Sequence, residues 1–122
     1  MSSMSEEIRD RIDANLVEAK ILRARGEWSR CWQLLEDAHV LSQPWAWAHI
    51  RVHAAMLCAG WGSRDVREVR GQLVRLLVGG PASVARRYPM GNIGRARVPA
   101  VQPMPIRADL AEMLTRAGQP AT

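Results

Sequence analysis

Residues 35–53 read LEDAHVLSQPWAWAHIRVH. Ser42, Gln43 and Pro44 interrupt an otherwise helical pattern. Proline lacks the amide hydrogen that a helix interior needs, so Pro44 cannot continue the helix before it, but it suits the start of the next. Before the break, Trp28, Cys31, Trp32, Leu35 and Ala38 recur on one helical side, which predicts a helix from about Trp28 to Leu41. After it, a helix runs from about Trp45 to Ala59. Two helices joined by so short a break pack antiparallel, and residues whose numbers sum to about 87 then face each other.

The flanks extend this hairpin. Upstream, Ile8, Ile12, Leu16, Ala19 and Leu22 form one helical stripe, and Ser3 with Glu6 has capping-box spacing. Gly26 ends that helix. Downstream, Gly60, Trp61 and Gly62 read as a break, with Ser63 or Asp65 capping a fourth helix that carries Val66, Val69, Leu73 and Leu76 to about Val78. The expected fold class is all-α: two stacked antiparallel hairpins over about 5–78. A weak 34-residue period, Gly26 to Gly60, gives them a tetratricopeptide-like look. The second copy is degenerate, with Arg67 where a small residue belongs, and two repeats are too few for a solenoid.

Gly79-Gly80-Pro81 reads as another break, with Pro81 opening a short turn to Arg87. Residues 88–106 carry four prolines and two glycines without a regular period. They read as part of an ordered Pro/Gly-rich arm, about 79–106, pinned by Tyr88, Ile93, Val98, Val101 and Ile106. A terminal helix is expected at about 107–117. The whole chain, 1–122, makes one domain, because a chain this short supports only one core.

All three histidines lie within fifteen residues. In the hairpin register His39 faces residue 48, beside His49, and Glu36 faces residue 51, within a turn of His49 and His53. Glu36 and His39 are an i, i+3 pair; His49 and His53 are an i, i+4 pair. One carboxylate and three imidazoles therefore converge between two helices. Imidazole suits copper, zinc and iron, and Glu36 is a fourth ligand or fixes an imidazole tautomer. Cys31 falls opposite Met56, and that soft pair would favour Cu(I). A buried histidine can also serve structure alone, bonded to a carbonyl, a carboxylate or an indole. No diagnostic metal motif is present, and nothing specifies a substrate, so the reading leans away from an enzyme.

The charge is uneven. Seven basic and eight acidic side chains lie in residues 1–60, against ten and four in residues 61–122. Sixteen of the 17 basic residues are Arg. Arg67 and Arg70, with Asn92 and Arg95 of the arm, are candidate anion contacts. Nucleic acid is disfavoured: only Tyr88 offers a ring near the arm for base stacking. Trp45 and Trp47, two apart, cannot both face one core, so one lies under the arm or at a surface for a protein partner or a second copy. No apolar run reaches membrane length, and the start, MSSMSEEIRDRID, lacks an export signal. The expected location is cytoplasmic, with Cys31 and Cys58 reduced. The metal-free alternative is an interaction module built on the Trp surfaces and the basic fourth helix.

Several motifs follow one another along the chain. They are Leu35–Gln43, His49-Ile50-Arg51-Val52-His53 with Met56, Gly71-Gln72-Leu73, Pro89–Arg95 and Pro103-Met104-Pro105-Ile106. This set resembles the bacterial domain-of-unknown-function family numbered 3703, over about residues 14–115. His39, His49, His53, Asn92 and Arg95 fall on matching positions, while Ile93 stands where that pattern has Thr. The resemblance implies a compact bacterial domain with an ordered arm, and no assigned activity.

Overall fold

The computed structural model describes residues 3–84 and 88–121, excluding the side chains of 78–84. Five helices follow one another: α1 (Glu6–Ala24), α2 (Trp28–Ser42), α3 (Ala46–Gly62), α4 (Val66–Val84) and α5 (Ala108–Arg116). The fold is all-α. α1 pairs with α2 and α3 with α4, and α2 packs on α3 to join the two hairpins. The short α5 rests on α1 and α2. Among the described residues no helix is long and apolar enough to cross a membrane.

Local chemistry explains most of the ends. Ser5, not Ser3, caps α1: its hydroxyl accepts from the Ile8 amide at 3.3 Å. The chain leaves α1 through Gly26 at φ +69°, with the Glu27 amide donating back to the Leu22 carbonyl. α5 ends the same way, through Gly118 at φ +75° and a bond from the Gln119 amide to the Leu114 carbonyl.

α3 uses this ending too, but not where the glycines stand. It runs through Gly60, Trp61 and Gly62 and turns at Ser63 and Arg64. The Asp65 amide closes the motif on the Gly60 carbonyl, and Arg64 takes the left-handed position at φ +57°. The two glycines serve packing instead. A Cβ at Gly60 would lie 3.0 Å from Glu68 Cβ, and one at Gly62 would lie 3.0 Å from the Trp28 ring. The break expected at Gly79-Gly80-Pro81 is likewise absent, since α4 continues to Val84. Glycine and proline lower helix propensity, but propensity alone does not decide where a helix ends. The turn expected to reach Arg87, and Arg86 and Arg87 themselves, lie outside the described residues.

The core is formed by α1, α2, α3 and α5. Ile8, Ile12, Ala19 and Leu22 meet Cys31, Leu34, Leu35, Ala38 and Leu41 across the first hairpin. Val52, Met56 and Ala59 add α3; Leu110, Met113 and Leu114 add α5. Within the α1 stripe, Asn15 is buried and Leu16 only partly; the Asn15 amide donates to the Leu34 carbonyl at 3.0 Å, satisfying both groups. Trp45 packs on the core and Trp47 is 74% exposed.

Residues 88–107 run between α4 and α5 without helix or strand. Turns and one longer bond, from the Met104 amide to the Met90 carbonyl at 2.9 Å, organise them. Ile93 and Ile106 pack on the core, whereas Val101 is 82% exposed and pins nothing.

The left-handed Arg64 yields a direct check. Arg64→Gly is expected to raise the unfolding free energy by about 0.5–1 kcal/mol, because glycine takes φ > 0 without steric cost. Urea unfolding of the two proteins measures it; equal or lower stability in the variant would show that the position is unstrained.

Candidate metal centre

His39 comes from the last turn of α2, and His49 and His53 from the first half of α3. The hairpin register therefore delivers all three into the joint between the two hairpins. Each is buried, at 3%, 5% and 2% exposure. Their Nε2 atoms form a nearly equilateral triangle: His39 to His49 is 2.9 Å, His39 to His53 is 3.1 Å, and His49 to His53 is 3.1 Å.

The other ring nitrogens determine what that triangle is. His39 Nδ1 lies 2.6 Å from the backbone carbonyl of Asn92. A carbonyl can only accept, so Nδ1 carries the hydrogen and, in the neutral ring, Nε2 presents a bare lone pair. His53 Nδ1 lies 2.6 Å from Gln72 Oε1. The Gln72 amide has only one consistent orientation, because its nitrogen donates to Glu68 Oε2 at 3.1 Å and to the Gly94 carbonyl at 2.9 Å. His53 thus also donates through Nδ1 and bares Nε2. Two lone pairs meet at 3.1 Å, an arrangement relieved by a cation held among the rings or by a hydrogen donated from His49 Nε2, 2.9 and 3.1 Å away.

Both rings stay neutral at ordinary pH. Burial, then the neighbouring histidines, holds His39 well below the usual imidazole range, although the Asn92 bond opposes the shift. Burial lowers His53 to about 4, against the opposing effect of its bond to Gln72. Neutral imidazole is the form that binds a metal.

The triangle fits an ion. Tetrahedral nitrogens at zinc-like bond lengths of about 2.0–2.1 Å lie about 3.3 Å apart, so the rings need to open by only a few tenths of an ångström. His39, His49 and His53 would hold the ion through their Nε2 atoms, and three nitrogens leave part of a tetrahedral coordination sphere to a further group or to none. Among the described residues, the metal-competent cluster contains these three histidines and neither a carboxylate nor a thiol.

The segment between α4 and α5 holds the site from outside. Gly94, at φ +82°, lies so close to His39 that a Cβ there would meet the ring at 2.5 Å. Asn92 is 2% exposed and fully engaged: its amide donates to the Pro99 and Gln102 carbonyls, and its Oδ1 accepts from the Gly94 amide. Gln43 donates to the Pro89 carbonyl and accepts from the Gly91 amide. Arg75 donates to the Gly94 and Val98 carbonyls at 2.6 and 2.7 Å. Glu68 accepts from Arg95, from the Ala96 amide and from Gln72.

The remaining candidates lie elsewhere. Glu36 is half-buried and directed at Arg95, 3.5 Å away, rather than at the histidines; burial raises its carboxyl even so. Arg95 is 8% exposed, bonded to Glu68 and stacked 3.8 Å over Trp32. Cys31 is in the α1–α2 core, where its thiol donates to the Ala19 carbonyl at 3.3 Å and burial pushes its pKa up. Met56 is fully buried in the core on α3. Arg67 and Arg70 are exposed on α4.

Three supporting side chains, Gln43, Glu68 and Gln72, were not singled out by sequence reasoning. Glu68 and Gln72 form an i, i+4 pair inside an Arg-rich helix, Gln43 stands beside the proline break, and Gln43 and Gln72 both fall within the motifs of the resemblance.

Fold and site together define an all-helical protein with a buried three-histidine cluster between α2 and α3 that could coordinate a metal ion. The chain belongs to the family described as protein of unknown function (DUF3703), whose model matches residues 6–114. No curated protein and no solved structure matches it.

The histidines make stability depend on pH. Because the folded pKa values lie below the unfolded value of about 6.5, the unfolded chain takes up protons first as pH falls. Metal-free protein should therefore be most stable above about pH 6.5 and lose up to about 3 kcal/mol by pH 4 through His53 alone. His39 acts in the same direction. Urea unfolding across this range checks it, and a flat profile would mean the rings are not buried neutral. Gly94→Ala should cost about 1–3 kcal/mol at pH 7, through its positive φ and the clash with His39.

Proposed function

We propose that the protein binds a single transition-metal ion, with His39, His49 and His53 as ligands and the ion drawn from copper, zinc and iron. One observation carries the reading: three buried Nε2 atoms converge within 3.1 Å while carbonyl groups hold the hydrogens of two of the rings on the opposite nitrogen. Outer carbonyls that fix the tautomer are a regular feature of histidine metal sites. Glu36 is not assigned as a fourth ligand, because its carboxylate faces Arg95. Cys31 and Met56 are read as core residues. The protein handles or senses its ion rather than catalysing a reaction. It works in the bacterial cytoplasm, on tetratricopeptide-like hairpins, with Cys31 and Cys58 as free thiols.

A second reading has its own observation. Trp61, Val66, Leu73 and Leu77 are exposed on α3 and α4, Trp61 and Leu77 by more than three-quarters, beside the basic Arg67 and Arg70. Such a face suits a protein partner or a second copy of the chain.

Elemental analysis of untagged protein, purified without chelator, tests the first reading. Near-stoichiometric metal is expected, and it should be lost in His49→Ala. Added metal should raise the thermal midpoint of the native protein and not of the variant, by the equivalent of about 2.7 kcal/mol at a hundredfold excess over Kd. A fully folded, metal-free protein whose midpoint ignores metal would leave the interaction reading standing.

A further inference from the structure

We infer that the groove between α3 and α4 binds an amphipathic helix of a partner protein, one whose apolar ridge is flanked by Asp and Glu. The inference rests on the interaction reading above and names its occupant; it is independent of the histidine cluster.

The groove is one continuous apolar surface. Two hollows of about 400 and 360 Å³ lie along it and share Trp61 and Val69. Val66 lines the first, and Leu57, Cys58 and Leu73 line the second. On α4, Val66, Val69, Leu73 and Leu77 repeat at helical spacing, while Glu68 and Gln72 occupy the buried face. Trp61, Val66, Leu73 and Leu77 are each at least half exposed. A contiguous apolar stripe of this kind marks an interaction surface.

The fold shows what shape of cover fits. α3 contacts both α1 and α2, so a helix lies across the two members of the first hairpin. The second hairpin offers the matching groove with no helix on it: among the described residues, α4 packs on no helix but α3. Stacked hairpins bury such a face against a further helical unit.

Charge defines the flanks of that unit. Arg23 and Arg64 line the hollows, and Arg67 and Arg70 stand exposed along α4 beside the stripe. No carboxylate is among the described lining residues. The neighbouring Asp65 caps α4, accepting from the Glu68 amide at 3.1 Å. Two copies joined face to face would set these arginines against each other. Acidic side chains beside an apolar ridge would instead meet opposite charge at both rims.

The test selects a phage library of random peptides, long enough for about four helical turns, against the whole chain. Enriched peptides are then titrated by fluorescence anisotropy. They should carry apolar residues at i, i+3, i+4 and i+7, with Asp and Glu outnumbering Lys and Arg. Leu73→Glu and Arg70→Glu should each weaken their binding by at least about tenfold. Both positions are exposed, so both variants should keep the native circular dichroism. Enriched peptides that are basic, or that bind Leu73→Glu as well as the native chain, overturn the inference. A dimer in sedimentation velocity that Leu73→Glu dissolves gives the groove to a second copy; it overturns the acidic helix and keeps the interaction reading. Flotation with phosphatidylglycerol vesicles, lost in Leu73→Glu, gives the groove to lipid and overturns both. No peptide, no dimer and no vesicle binding also overturns both.

Discussion

The hydrogen bond from His39 Nδ1 to the Asn92 carbonyl joins the two parts of this molecule that share no secondary structure. Its 2.6 Å length ties the end of α2 to the segment between α4 and α5. Because a carbonyl accepts only, the bond also fixes which nitrogen of His39 faces inward. The segment can offer that carbonyl only if its backbone is held. Asn92 holds it by bonding to Pro99, Gln102 and Gly94, and Gln43 holds the preceding turn. Gly94 then approaches the ring closely, which a side chain would prevent. A buried polar network of this kind stabilises one arrangement when fully satisfied and is costly when any member is lost.

A second chain of bonds repeats the device from α4. Glu68 orients Gln72, Gln72 orients His53, and Arg95 with the Ala96 amide holds Glu68. The site therefore draws on four parts of the chain: α2, α3, α4 and the connection after α4. The hydrophobic core lies largely to one side, among α1, α2, α3 and α5.

Much of this was legible in the sequence. The Ser42–Pro44 break set the register of α2 and α3, and that register alone placed the histidines together. The apolar stripes located α1 and α2 to within a few residues. The glycines misled. Gly60 and Gly62 read as a break because glycine is a punctuator, but here it serves close helix packing, and the turn falls on Arg64, whose side chain gives no hint of positive φ. Glu36 was placed near the histidines because i, i+3 residues share a broad face. Its actual partner, Arg95, lies 59 positions along in a segment with no period to read. Gln72 and Glu68 lie in an Arg-rich helix where nothing local marks them as buried, for the same reason: what buries them is distant in sequence.

The central claim is that carbonyls hold the hydrogens of His39 and His53 on Nδ1, so that bare Nε2 atoms converge. Long-range proton–nitrogen correlation spectra of ¹⁵N-histidine-labelled, metal-free protein at pH 7 test this directly. Both residues should show a protonated Nδ1 and an unprotonated Nε2, and added metal should move the Nε2 signals. Protonated Nε2 in either ring, unaffected by metal, would contradict the account and leave the histidines as ordinary structural groups.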